Sequence, residues 1–228
     1  MSCPPLRLVI FDVDGTLVDS QGAIVDAMAV AFRTMGLPVP ARAAILSIVG
    51  LSLERAMAHL APNEDAETCQ GLVEAYKRAY QTGREAAGAT QISPLYPGAR
   101  RTIAALTAVP DILLGVATGK SQRGLAALLD GHGLDGVFVT RQVADHHPSK
   151  PHPSMIHAAM AEAGVRPQDT VMIGDTSFDM EMAAAAGVAG IGVTWGYHPP
   201  ERLGAARCLI DGFDQLHTTL SDIWKVTA

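Results

Sequence analysis

Leu6-Arg7-Leu8-Val9-Ile10-Phe11-Asp12-Val13-Asp14-Gly15-Thr16 is the stretch that decides the fold. Its first six residues are largely apolar and rich in branched side chains. The run stops abruptly at Asp12 and turns into a short acidic, glycine-containing segment. That pattern predicts a buried strand delivering its carboxyl end into a loop. From Ser20 the period changes. Ile24, Met28, Phe32 and Met35 fall on one helical face, with Ser20 as a candidate N-cap and Gly36 just past the end.

Pro38 and Pro40 interrupt the chain, and helical patterns resume over 41–49, 53–60 and 64–87. No strand pattern stands out between 20 and 94. Beyond Pro94-Leu95-Tyr96-Pro97-Gly98 strands and helices alternate: strands over 112–117, 137–139, 170–173, 191–194 and 208–210, helices over 121–129, 154–163 and 178–186. Alternation of this kind predicts an α/β fold, a Rossmann-like parallel sheet with helices on both faces. The expected organisation is discontinuous: a core domain of residues 1–19 and 95–228, and an all-helical domain of residues 20–94 inserted after the first strand. Ligands of such sheets bind beyond the strands' carboxyl ends, so the insert should hang over the site.

Composition narrows the function classes. The 228 residues are 48% hydrophobic, enough for a substantial core. Lys and Arg number 17 against 23 Asp and Glu, with no basic run, so nucleic acid is not an expected partner. Cys3, Cys69 and Cys208 are isolated, which matches neither a disulfide framework nor a zinc site. The first apolar run is too short for a signal peptide, and no stretch is long enough to span a membrane. The expected location is the cytoplasm.

Four polar clusters follow predicted strands or lie in loops between elements: Asp12-Val13-Asp14-Gly15-Thr16, Thr118-Gly119-Lys120-Ser121, Ser149-Lys150-Pro151 and Gly174-Asp175-Thr176-Ser177-Phe178-Asp179. A parallel sheet brings them to one edge. The set suits phosphoryl transfer, which asks mainly for positioning and charge stabilisation. Asp12 and Asp175 suit a hard cation such as Mg²⁺. The Thr118 hydroxyl, N–H groups around Gly119 and the Lys150 ammonium suit phosphate oxygens. One aspartate can act as nucleophile, and another, two residues on, as acid and base. A neighbouring like charge and a site dried by a lid favour the protonated form that an acid needs at Asp14.

Each cluster alone also reads as a turn, a helix cap or a solvated loop; their joint order is the specific signal. Gly115-Val116-Ala117-Thr118-Gly119-Lys120-Ser121 resembles a phosphate-binding P-loop but is one residue short of its spacing, with Leu114 where glycine is required. Gly187-Val188-Ala189-Gly190-Ile191-Gly192 has its glycines in the wrong order for a dinucleotide fingerprint. His146, His147 and His152 read as a solvated loop in preference to a transition-metal site.

On these motifs the chain resembles haloacid dehalogenase superfamily hydrolases with a helical cap, and within them phosphoglycolate phosphatase-like enzymes. The resemblance covers about residues 6–216. It rests on Phe11-Asp12-Val13-Asp14-Gly15-Thr16-Leu17-Val18-Asp19-Ser20, Thr118-Gly119-Lys120-Ser121, Lys150-Pro151-His152-Pro153 and Gly174-Asp175-Thr176-Ser177-Phe178-Asp179. It implies Asp12 as nucleophile and Asp14 as acid/base, with Thr118, Gly119 and Lys150 binding the phosphoryl group. It implies Mg²⁺ on the side chains of Asp12 and Asp175 and the carbonyl of Asp14, with Asp179 orienting Lys150 or a metal-bound water.

Related dehalogenases carry an aromatic residue, and phosphonatases a small one, at the position of Asp14, so an aspartate there favours phosphate esters. The implied activity is hydrolysis of a small phosphorylated metabolite, phosphoglycolate-like or a sugar phosphate, by a monomer or homodimer. The alternatives are a phosphomutase of the β-phosphoglucomutase type and an inorganic pyrophosphatase. The loop Gly50-Leu51-Ser52-Leu53 lacks the arginine of the mutase loop, which favours water as acceptor.

Overall fold

The computed structural model describes residues 5–226; Cys3 lies outside the described residues. Arg7–Phe11 forms β1, in which residues 8–11 are fully buried. Val9 and Phe11 enter one hydrophobic cluster, Leu8 and Ile10 the other. A strand sealed on both faces reads as an unbroken apolar run, and burying each such side chain contributes about 1.5–3 kcal/mol.

The other strands are β2 (Ile112–Thr118), β3 (Thr140–Val143), β4 (Thr170–Gly174), β5 (Ala189–Val193) and β6 (Cys208–Ile210). They form one sheet of order β3-β2-β1-β4-β5-β6, parallel throughout. The chain steps outward from β1 to β3, returns to the far side of β1 as β4, and continues outward to β6. The winding therefore reverses between β1 and β4, where the loops leaving adjacent strands part to open a crevice.

The insert holds α1 (Gln21–Thr34), α2 (Arg42–Leu46), α3 (Leu53–Leu60), α4 (Ala66–Ala87) and α5 (Ala89–Ile92). It has its own apolar cluster, which includes Ile24, Met28 and Phe32 of α1 and Leu72 and Val73 of α4. Gly36, at φ +69°, ends α1, with the Leu37 amide donating to the Phe32 carbonyl at 2.9 Å; this left-handed stop is where glycine is favoured. The two connections to the core run side by side: Val18 bridges both Asp14 and Leu95, and the Asp19 amide donates to the Pro94 carbonyl at 2.9 Å.

In the core, α6 (Ala99–Thr107), α7 (Gln122–Gly131) and α10 (Leu216–Val226) cover one sheet face, and α8 (Ser154–Ala163) and α9 (Ser177–Ala185) the other.

The third strand is not the apolar 137–139 that the sequence suggests but Thr140–Val143. This is an edge strand, and its buried polar residues are satisfied sideways: the Thr140 hydroxyl and the Gln142 amide both donate to Glu162 of α8. Val139, by contrast, is 55% exposed. The helix expected over 41–49 stops at Leu46, and α4 begins at Ala66 because the Asp65 carboxylate caps it by accepting from the Thr68 amide at 2.8 Å. Ser20 stands at the N-cap position of α1 but spends its hydroxyl elsewhere.

Candidate active site

Asp12 is the first residue beyond β1, and its amide donates to the Ile173 carbonyl of β4 at 2.9 Å. Its carboxylate is thus held at the reversal point. One oxygen, Oδ1, lies 2.8 Å from the Lys150 ammonium; the other, Oδ2, is buried with no hydrogen-bond partner. Lys150 is itself fully buried and reaches Asp179 at 2.6 Å. Asp179 is fixed in turn by the start of α9. Its Oδ2 accepts from the Thr176 amide at 3.0 Å and the Thr176 hydroxyl at 2.6 Å, a reciprocal capping box.

Asp175 follows β4. Its carboxylate accepts from the Thr16 hydroxyl at 2.9 Å and from the Tyr197 amide at 2.8 Å. Gly15 and Gly196 press against it: a Cβ at either would fall within 2.2 Å of an Asp175 atom. Both glycines are therefore required by close approach.

Carboxylate oxygens of Asp12, Asp175 and Asp179 lie within 4.8 Å of one another, all buried. One ammonium, Lys150, faces them. Burial pushes the Asp12 carboxyl up to about 7, with Asp179 adding to the rise and Lys150 opposing it. Burial, then Asp12 and Asp179, hold Asp175 well above the ordinary carboxylate range. A hard divalent cation would relieve both, and the unpartnered Asp12 Oδ2 leaves a donor free for it. The residues fit such an ion.

Asp14 occupies a different setting. The Ser20 hydroxyl donates to its Oδ1, and the Lys120 ammonium lies 2.7 Å from the same atom. The sequence implies a like charge and a dried site around Asp14; the structure adds a cation. Burial disfavours the Lys120 ammonium, but Asp14 with Tyr80 and Tyr76 outweighs that and holds it above the usual lysine range. Lys120 also reaches the insert, 3.4 Å from the Tyr80 hydroxyl. Tyr197 accepts from the Ser20 amide at 3.0 Å and meets its hydroxyl at 3.1 Å.

The insert closes over this edge. Thr118 ends β2, buried, with its hydroxyl oxygen accepting from the Lys120 amide at 3.2 Å. A Cβ at Gly119 would stand 2.7 Å from the carbonyl oxygens of both Gly50 and Leu51. The Ser52 amide donates to the Ser149 hydroxyl at 2.8 Å. His198 accepts from the Ser177 amide at Nδ1 and donates from Nε2 to the Ser47 carbonyl, both at 3.0 Å. Between insert and core lies a cavity of about 560 Å³ whose lining includes Asp12, Asp14, Thr118, Gly119 and Lys120. Lys150, Asp175 and Asp179 lie outside its lining.

The sequence profile of haloacid dehalogenase-like hydrolases matches residues 9–193. The chain belongs to that family. It is 39% identical over 215 residues to the Dickeya dadantii protein named "Probable phosphatase IndB", covering 92% of this chain and 91% of the relative. It is 30% identical over 222 residues to a phosphoglycolate phosphatase of Photorhabdus laumondii, covering 94% and 92%. A crystal structure titled as a predicted phosphatase from Clostridium acetobutylicum superposes with a TM-score of 0.83 at 25% identity, covering 96% of this chain and all of that one.

This haloacid dehalogenase-like hydrolase is thus an enzyme acting on phosphate esters. Phosphatases of the family generally use a divalent metal, and the buried aspartates supply hard oxygen donors. Among the described residues no helix is long and apolar enough to cross a membrane. Among the described residues His146, His147 and His152 do not form a metal-ligand group, and each imidazole has its own hydrogen-bond partner, such as Gln142 and Ser154 for His147.

Three contributors are not legible in the sequence as site residues in their own right. Lys120 was visible only as part of a motif. Tyr197 and His198 lie beyond β5, and the rule that strand ends converge would have pointed to that loop as well.

Proposed function

We propose that this chain is an Mg²⁺-dependent phosphomonoesterase that passes through an aspartyl-phosphate on Asp12. The observation that carries the reading is the Asp12 carboxylate at the cavity floor, with Oδ1 pinned by Lys150 and Oδ2 free. Asp12 attacks phosphorus, and the bond from phosphorus to the ester oxygen breaks. Asp14 delivers a proton to that departing oxygen. Water then attacks the aspartyl-phosphate, Asp14 takes its proton, and Asp12 is released with inorganic phosphate. Thr118, the Gly119 amide and Lys150 hold the phosphoryl oxygens in our assignment.

The cation would rest on the carboxylates of Asp12 and Asp175 and the Asp14 carbonyl, and would supply positive charge against the phosphoryl group. Asp179 positions Lys150, at 2.6 Å. The core comprises 1–19 and 95–228 and the helical cap 20–94. The loop Gly50-Leu51-Ser52-Leu53, packed on Gly119, offers no arginine to steady a phosphorylated sugar between two transfers, so water is the assigned acceptor.

The test is Asp12→Asn with a generic aryl phosphate and Mg²⁺. Phosphate release should vanish while the melting transition stays cooperative. Turnover equal to the parent enzyme would remove the mechanism. Isomerisation of a hexose phosphate without phosphate release would make the enzyme a mutase.

A further inference from the structure

The cavity above Asp12 measures about 560 Å³. This falls within the ~300–1,000 Å³ range of sites for drug-sized ligands. A two-carbon phosphoester would fill a minor part and leave water around the reacting centre.

The two walls differ. The floor is polar, but the insert contributes Met28, Val49, Leu51, Leu53, Tyr76 and Tyr80. Two further residues also line the cavity: Arg84, half-buried near the end of α4 on the insert, and Arg123, exposed at the start of α7 on the core. Among the described residues neither guanidinium has a hydrogen bond or ion pair. The other charges toward the rim of that lining have different settings. Lys77 pairs with Glu74 at 3.3 Å, Asp145 accepts from the Gln122 amide at 2.8 Å, and Glu54 stands in the first turn of α3, where the helix favours an acid.

We propose that the substrate is a phosphomonoester with a ring-sized, largely apolar body and a second anionic group at the end away from phosphorus. The insert's apolar wall covers the body, and Arg84 and Arg123 hold the distal anion. Because one arginine belongs to each part of the molecule, that anion also ties the insert to the core, so recognition and exclusion of water occur together. This deepens the phosphatase reading and rests on it.

The experiment measures phosphate release, with Mg²⁺, from phosphoglycolate, phenyl phosphate and 4-carboxyphenyl phosphate. The expected kcat/KM for 4-carboxyphenyl phosphate exceeds that for phenyl phosphate about tenfold, the worth of one charged hydrogen bond, and that for phosphoglycolate by more. Arg84→Gln and Arg123→Gln should each shrink the ratio of carboxyphenyl to phenyl phosphate severalfold, chiefly through KM. Phenyl phosphate serves in the same variants as the internal gauge of folding. Phosphoglycolate turned over as well as the aryl esters overturns the proposal and leaves the phosphatase reading standing. An unchanged ratio in both arginine variants overturns the assignment of the anion site. No release from any of the three overturns the phosphatase reading and the proposal together.

Discussion

Replacing Lys150 with methionine keeps the length of the side chain and deletes its charge. In the parent enzyme the ammonium is fully buried, 2.8 Å from Asp12 and 2.6 Å from Asp179, with Asp175 close behind. Breaking a buried ion pair by removing one partner costs about 3–5 kcal/mol, because the remaining charge stays desolvated. For a chain of this size each kcal/mol shifts the melting point by about 2–4 °C, so Lys150→Met in chelator should melt about 6–20 °C lower.

The sign of the pH dependence follows from Asp12, whose carboxyl burial has lifted to about 7. A folded value above the unfolded ~3.9 means the native state binds more protons between the two. That contribution to stability is present at low pH and is lost as pH rises toward 7. Removing the opposing ammonium lifts the folded value further, so the gap between parent and variant should widen from pH 5 to pH 8. Asp179→Asn added to Lys150→Met should recover part of the loss, since the two charges couple directly. The assay is thermal and urea unfolding at pH 5, 6.5 and 8. Equal stability at pH 8, or a gap independent of pH, would refute the reasoning.

Gly119→Ala places a methyl group 2.7 Å from two backbone carbonyl oxygens of the insert, and backbone yields less readily than a side-chain tip. Overpacking of this kind costs about 1–3 kcal/mol in the closed arrangement, so kcat/KM should fall about tenfold with little change in melting point; an unchanged kcat/KM would show that the insert need not seat on this turn. Burial holds the His198 imidazole below its ordinary value, so the unfolded chain takes up that proton first, and this residue's own contribution to stability is lost as pH falls below about 6.5, opposite in sign to that of Asp12. Parent and His198→Gln melting curves between pH 7.5 and 5.5 check this, with the parent expected to lose ground relative to the variant as pH falls.

What could be read in advance depended on how each segment is buried. β1, β2 and β4 are covered on both faces, so their sequences are apolar runs that announce themselves, and the acidic or hydroxyl residues that end those runs stood out by contrast. β3 lies at the sheet edge and satisfies Thr140 and Gln142 through Glu162, a partner 20 or more residues away. Nothing local distinguishes such a strand from a loop, whereas the neighbouring apolar Val137-Phe138-Val139 carries the stronger strand pattern. The site divides the same way. Asp12, Thr118, Lys150 and Asp175 sit in clusters next to strands or loops of recognisable type. Lys120 acquires its meaning only from Asp14, 106 residues earlier, and from Tyr80 on the insert. Ser20 looked like a cap because capping is a local property; its hydroxyl goes to Asp14, six residues back across the loop.

Lys120 shows how the two parts of the chain bear on one carboxylate. Its ammonium lies 2.7 Å from Asp14 of the core and 5.1 Å from the centre of the Tyr80 ring of the insert. With the insert seated, the ring and the surrounding walls take water from around the ammonium, and an ion pair in that drier setting is stronger than in solvent. Lifting the insert would hydrate Lys120 and weaken its grip on Asp14. The charge environment of Asp14 therefore depends on where α4 lies, although α4 does not touch phosphorus. A local substitution at Tyr80 and a distant one that loosens α4 should act on Asp14 in the same direction, by the same change in hydration.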